Sequence, residues 1–278
     1  MTTFGPAMPD FTELAPGVRR LLAPNPSMMT GPGTNTYLFG VAEIAVLDPG
    51  PLIEKHLEAI VDRSAAPIRW VLVTHTHPDH SPAAVELAKR TGAKLLGSPA
   101  PLGRHQDSTF RPDRELIDGD RVTVDGIELE AIHTPGHASN HLCYRHVQLN
   151  WIFTGDHIID GSTVVIDPPD GNMSHYLASL AKVNNRQPAI LAPGHGELIR
   201  DPARAIDWII DHRLQRESKV VAALRAHPGL TVRQLVPHVY KDVSEHLYGW
   251  AERSLLAHLE KLADERRAAE NSGYWSPT

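Results

Sequence analysis

The chain has 278 residues, 41% of them hydrophobic, enough for one large core and a small appendage. Its formal charge of -6 gives polyanions no general attraction, and no basic patch suited to duplex nucleic acid stands out. A lone cysteine, Cys143, excludes an intrachain disulfide framework and fits a reducing compartment.

The opening residues, MTTFGPAMPDFTELAPG, carry neither a basic nor an apolar leader pattern, and no run of about 18 apolar residues follows. A cytoplasmic protein without a membrane partner is expected. TYLFG and EIAVLDPG then read as short strands closed by turn residues, and IEKHLEAIVDR has helical spacing. IRWVLVTH is an apolar strand buried on both faces. Ser81 and Pro82 supply an N-cap and a first-turn proline for the helix PAAVELAKR. KLLGS is a strand, and VTVDGIELEAIHT folds back on itself around an Asp-Gly turn. HLCYRHV and WIFTGDHII are further strands, the helix HYLASLAKVNN follows, and AILAPGHG is the last strand. Alternating strands and helices predict an α/β sheet core covered by helices.

From about Asp201 the pattern becomes helical: one long helix through His227, a second from Leu230 to Tyr240 and a third over RSLLAHLEKLADERRA. Gly273, Tyr274 and Trp275 suit a hairpin wing. A boundary near residue 210 divides the chain into residues 1–210 and 211–278. Ten basic against nine acidic residues from Asp211 onward make the second part nearly neutral, better suited to packing on the first or walling a pocket than to gripping nucleic acid.

The chemistry sits where strands end. THTHPDH puts His75, His77, Asp79 and His80 on one strand-to-helix loop, while His137 lies in HTPGH, Asp156 in TGD and His195 in PGHG. Imidazole and carboxylate are ligands for borderline metals. His75 and His77, two apart on an extended strand end, can grip one ion, and Asp79 with His80 can reach a second. Asp156 suits a bridging carboxylate, with a hydroxide as the other bridge and as the nucleophile.

These motifs, in this order, resemble the metallo-β-lactamase superfamily of metal-dependent hydrolases. The resemblance implies a four-layered αβ/βα sandwich. It assigns His75, His77 and His137 to one metal, and Asp79, His80 and His195 to the other, with Asp156 between. The cofactor it implies is two divalent ions, zinc first, with manganese or iron also compatible. Asp79 would orient the nucleophile and move a proton. GPGTNTYLFG, HRLQRES and the helical tail are similar to the β-lactamase-like protein 2 group, which implies a small winged-helix-like C-terminal domain and a single-stranded RNA substrate. Thioesters of the hydroxyacylglutathione type, lactones and β-lactams remain alternatives. So does a non-enzymatic module in which metals brace a fold that binds nucleic acid or a partner.

SPAA stands where many relatives have a Gly-Gly pair, and His157 follows Asp156 where others place Cys or Thr. His at position 77 argues against the oxygen-reducing di-iron branch. Asn35, Tyr37, His157 and Tyr176 are candidates for touching substrate, although strand entry or core packing would also use them. Asp48, His133 and His141 are candidates for orienting the ligand rings. Cys143 reads as a small buried hydrophobe.

Overall fold

The computed structural model describes residues 11–103 and 105–278. Strands Phe11–Ala15 (β1), Val18–Leu22 (β2), Asn35–Phe39 (β3), Ile44–Leu47 (β4), Ile68–Leu72 (β5), Lys94–Gly97 (β6) and Arg114–Glu115 (β7) form one sheet in chain order. Its first half is an antiparallel meander and β4 to β7 run parallel. The second sheet holds Arg121–Val124 (β8), Ile127–His133 (β9), Leu142–His146 (β10), Trp151–Gly155 (β11) and Ile190–Pro193 (β12), ordered β12-β11-β10-β9-β8. The expected β8/β9 hairpin turns at Asp125 and Gly126, both with positive φ, as a two-residue primed turn requires.

The two sheets face each other because successive strand side chains point to opposite sides. Tyr37, Phe39, Leu47 and Leu72 point inward and meet Leu129, Leu142, Tyr144 and Phe153 of the second sheet. Leu38, Ile44, Val46 and Val71 point outward, onto helices Glu54–Ser64 (α1) and Pro82–Thr91 (α2). On the far side, Ile132, Cys143, Ile152 and Leu191 are covered by Met173–Asn184 (α3) and the start of Pro202–Ala226 (α4). Helix, sheet, sheet, helix is the expected four-layered arrangement. Fully burying one such Leu or Phe contributes about 1.5–3 kcal/mol.

α4 is shared between two cores. Ile206 and Ile209 join α3 on the second sheet, while Val220, Ala223 and Leu224 pack with Val232–Val239 (α5), Tyr248–Asp264 (α6) and Trp275. Leu230–Thr231 (β13), Ala268–Asn271 (β14) and Tyr274–Pro277 (β15) make a small third sheet, with β15 in the middle, so the wing expected around Gly273 forms. The division near residue 210 falls inside α4.

Three local expectations need correction. Ser81 stands at the N-cap position with Pro82 in the first turn, as expected, but its hydroxyl makes no cap bond and donates to Asp107 Oδ2 at 2.8 Å. The second C-terminal helix begins at Val232, because Thr231 and Gln234 form a reciprocal capping box that fixes its start. The third begins at Tyr248, upstream of the predicted RSLL.

Candidate metal centre

Each candidate ligand leaves a strand end, and the two sheets are stitched together there. Leu142 N donates to Thr74 O at 2.7 Å, Tyr144 Oη to Val73 O at 3.0 Å, and Asn35 N to Gly194 O at 2.8 Å. These bonds draw the β5–α2, β9–β10, β11 and β12 loops to one edge of the sandwich.

His75, His77 and His137 form one group of donor atoms, and Asp79, His80, Asp156 and His195 a second. In the first, His77 Nδ1 lies 3.0 Å from Nε2 of both His75 and His137. His137 Nδ1 donates to Val165 O at 2.8 Å. The Thr74 hydroxyl donates to Asp48 Oδ2 and so accepts from His75 Nδ1 at 3.0 Å. Neutral rings tied in this way leave both Nε2 atoms as lone pairs facing one nitrogen of His77. A single proton there satisfies only one of them, whereas a cation satisfies all three.

The second group repeats the logic. His80 Nδ1 donates to Asp48 Oδ2 at 3.0 Å and His195 Nδ1 to Gly33 O at 3.1 Å. Their Nε2 atoms lie 3.3 and 3.2 Å from Asp156 Oδ1, and His195 Nε2 also lies 3.2 Å from Asp79 Oδ2. His80 Nε2, His195 Nε2 and Asp156 Oδ1 are buried without a hydrogen-bond partner. Such orphans cost free energy unless something else compensates them. Asp156 Oδ2 stands 3.7 Å from His137 Nε2, so one carboxylate spans both groups.

The electrostatics agree. Burial, with neighbouring His80 and His77, pushes His75 well below the usual imidazole value; burial and His137 bring His77 down to about 3. In the second group burial also disfavours an imidazolium, but the Asp156 carboxylate outweighs it, raising His195 to about 10 and His80 well above normal. Burial would raise Asp156, yet His195 and His80 hold it well below the carboxylate range. The first group is thus kept as neutral rings with lone pairs to offer, and in the second the Asp156 carboxylate favours a positive charge, so the residues present fit two metals.

Close approach explains one motif glycine. A Cβ on Gly194 would stand 2.7 Å from His80 Cε1 and 2.9 Å from Asp156 Oδ1, inside van der Waals contact. A cavity of about 360 Å³ opens above the groups, with His77, Asp79, His137 and Asp156 at its floor. Met29 and Val165 line its walls together with Trp250 and Arg253, both from α6.

A family model described as "Metallo-beta-lactamase superfamily" matches residues 29–195, and one described as "Beta-lactamase associated winged helix domain" matches residues 231–275. The chain belongs to the metallo-beta-lactamase superfamily. It is 31% identical to the Beta-lactamase-like protein 2 homolog of Drosophila melanogaster, over 93% of this chain and 91% of that protein. It is 33% identical to the Atrochrysone carboxyl ACP thioesterase of Aspergillus chevalieri, over 95% of this chain and 86% of that protein. A beta-lactamase domain protein from Burkholderia ambifaria has the same fold, with a TM-score of 0.83 at 22% identity over 96% of this chain and 93% of that one. The chain is accordingly a metal-dependent hydrolase of this superfamily. Among the described residues no helix is long and apolar enough to cross a membrane.

Within this superfamily hydrolase, the four residues expected to touch substrate lie off the cavity wall. Asn35 Nδ2 donates to Pro193 O and Gly196 O, each at 2.9 Å, and the Tyr37 hydroxyl to Pro193 O at 2.7 Å. Both brace the loop that carries His195. His157 and Tyr176 are buried and pack on each other, with the Tyr176 hydroxyl donating to His157 O at 3.0 Å. His141 lies beside His75, ring centroids 5.0 Å apart, and bonds Thr134 through Nδ1; His133 contacts Ser139 O through Nε2. Asp48 reaches His80 directly and His75 through Thr74.

Sequence reasoning missed Thr74, Val165, Trp250 and Arg253. Thr74 has a signal, since it immediately precedes the histidine cluster. The carbonyl of Val165 has none. Trp250 and Arg253, three apart on α6, share a helix face, but nothing local says that this face meets the cavity.

Proposed function

We propose that the chain is a dinuclear metallohydrolase of the cytoplasm whose substrate is a thioester. The observation that carries the metal reading is Asp156, with Oδ1 in one donor group and Oδ2 facing the other. His75, His77 and His137 would hold one ion, and Asp79, His80 and His195 the second, zinc being the metal that this imidazole and carboxylate set suits best. Two bound divalent ions lower the pKa of water to about 7 and polarise the oxygen of an electrophile.

The chain's own groups do the rest. Asp79, about a quarter exposed at the cavity floor, orients the attacking water and takes up its proton. Asp48 and Thr74, the Val165 carbonyl and the Gly33 carbonyl keep ring nitrogens in the donor tautomer. Trp250 and Met29 add apolar surface to the cavity wall.

A thioester is favoured over single-stranded RNA by the character of the cavity. RNA needs a basic track for its backbone, whereas Asp167 and Asp170 border this cavity and Arg253 is the one Lys or Arg on its wall among the described residues. The thioesterase name of the Aspergillus chevalieri relative supports the same choice.

The test is a panel: purified protein of measured metal content is offered an acetyl thioester, a lactone, a β-lactam and a single-stranded RNA oligonucleotide, each with and without chelator. Chelator-sensitive thioester turnover by protein holding two metals per chain is expected. Turnover of RNA alone would replace thioester by phosphodiester, and turnover of none would overturn the proposal.

A further inference from the structure

We infer that Arg253 and Trp250 of α6 form a recognition site for an anionic group of the substrate, a carboxylate or a phosphate. This rests on the thioester reading and names the feature of the thioester that the site selects. Three observations lead to it.

First, the guanidinium is under-used. Arg253 Nη1 donates to Asp167 Oδ2 at 2.6 Å, and among the described residues its other N–H groups make no hydrogen bond. Arg253 is 35% exposed and Asp167 36%, a degree at which an ion pair adds little to stability. A planar fork with free donors beside a cavity matches a carboxylate or phosphate held by two parallel bonds.

Second, the charge around it is arranged for a guest. Asp170, the other acid on that wall, is already engaged by Gln106 Nε2 at 3.1 Å and by Ser139 N at 3.3 Å. Asp167 is the group that a substrate anion would displace or share. Third, the Arg253 guanidinium carbon stands 4.9 Å from the centre of the Trp250 ring, and that indole stays 38% exposed. The indole steadies the cation from one side and offers an apolar face next to it. The site lies on the winged-helix region, so α6 would choose the substrates that the metal ligands hydrolyse.

Two matched probe pairs test this and distinguish the source of the anion. One is S-glutaryl-N-acetylcysteamine and its methyl ester, with the charge on the acyl side. The other is S-acetyl-4'-phosphopantetheine and S-acetylpantetheine, with the charge on the thiol side. The metal-loaded wild-type protein is expected to favour the charged member of one pair about tenfold or more in kcat/KM, chiefly through KM. Arg253→Met should bring that ratio to near one, Arg253→Lys should keep part of it, and Asp167→Asn, which frees the guanidinium, should increase it. Metal content and thermal unfolding establish that each variant folds.

No charge preference in the wild type, or the same ratio in Arg253→Met, overturns the inference while leaving the thioester reading intact. If no thioester is hydrolysed, that reading fails, and calorimetric titration of the same probes decides the anion site separately. Binding of a charged member alone, lost in Arg253→Met, supports the site; equal or absent binding of both members overturns it.

Discussion

The buried carboxylate of Asp48 accepts a hydrogen bond from His80 Nδ1 at 3.0 Å, and so turns His80 Nε2 toward Asp156. The same oxygen takes the Thr74 hydroxyl that supports His75, so one residue outside both donor groups serves one ring in each. Asp48→Asn, which keeps the shape but loses the charge, is predicted to weaken metal binding about 10- to 100-fold. Calorimetric titration with zinc measures this. Unchanged affinity would show that the rings hold their orientation without it.

Gly194 should not tolerate a side chain. With its Cβ position 2.7 Å from the His80 ring and 2.9 Å from Asp156, Gly194→Ala must displace ligand atoms or the backbone. We predict a folded protein that retains about one metal or fewer per chain after dialysis, read by elemental analysis.

Asn35 and Tyr37 are predicted to act through the His195 loop and not through substrate. Tyr37→Phe removes one buried bond to Pro193 O and should cost about 1 kcal/mol of stability; Asn35→Ala removes two and should cost about 1–3 kcal/mol. Denaturant unfolding measures both. A role in binding substrate would instead raise KM with stability unchanged.

His56 gives a pH dependence outside the ligand set. Its ring is buried and its Nε2 lies 2.9 Å from the Thr36 hydroxyl, which itself donates to the Asp48 carbonyl, so the ring is the donor. Burial lowers its pKa from 6.5 to about 4. The unfolded chain therefore binds the extra proton first as pH falls. The contribution of neutral His56 is complete above pH 6.5, and up to about 3 kcal/mol is lost on descending toward pH 4. The stability gap between wild type and His56→Gln should narrow from pH 7 to pH 5. A constant gap would contradict this.

What was legible in the sequence is local. The histidines of THTHPDH are strand-end neighbours, the Asp125-Gly126 turn fixes a hairpin, and alternating apolar residues mark the sheet faces; each signal lies within a few residues. Interactions across the chain were not legible. Ser81 looks like a helix cap, yet its hydroxyl is taken by Asp107, 26 positions away. Asn35 and Tyr37 look like pocket residues, yet Pro193, more than 150 positions on, takes their hydrogen bonds. Trp250 lies just upstream of the helix that the sequence predicts and Arg253 at its first residue, and only the folded chain brings α6 over the loop that carries Val165 and Asp167. β1 and β2 also went unread, since their short, partly polar runs gain strand structure from pairing with β3.

The central claim is that two ions share the Asp156 carboxylate. Crystals of the zinc-loaded protein, measured at the zinc absorption edge, should show two anomalous peaks about 3.5–4 Å apart. One should lie about 2.0–2.1 Å from nitrogens of His75, His77 and His137, the other at the same distance from His80 and His195, with Asp156 between them. A single peak, or a pair for which Asp156 is not the link, would contradict the account.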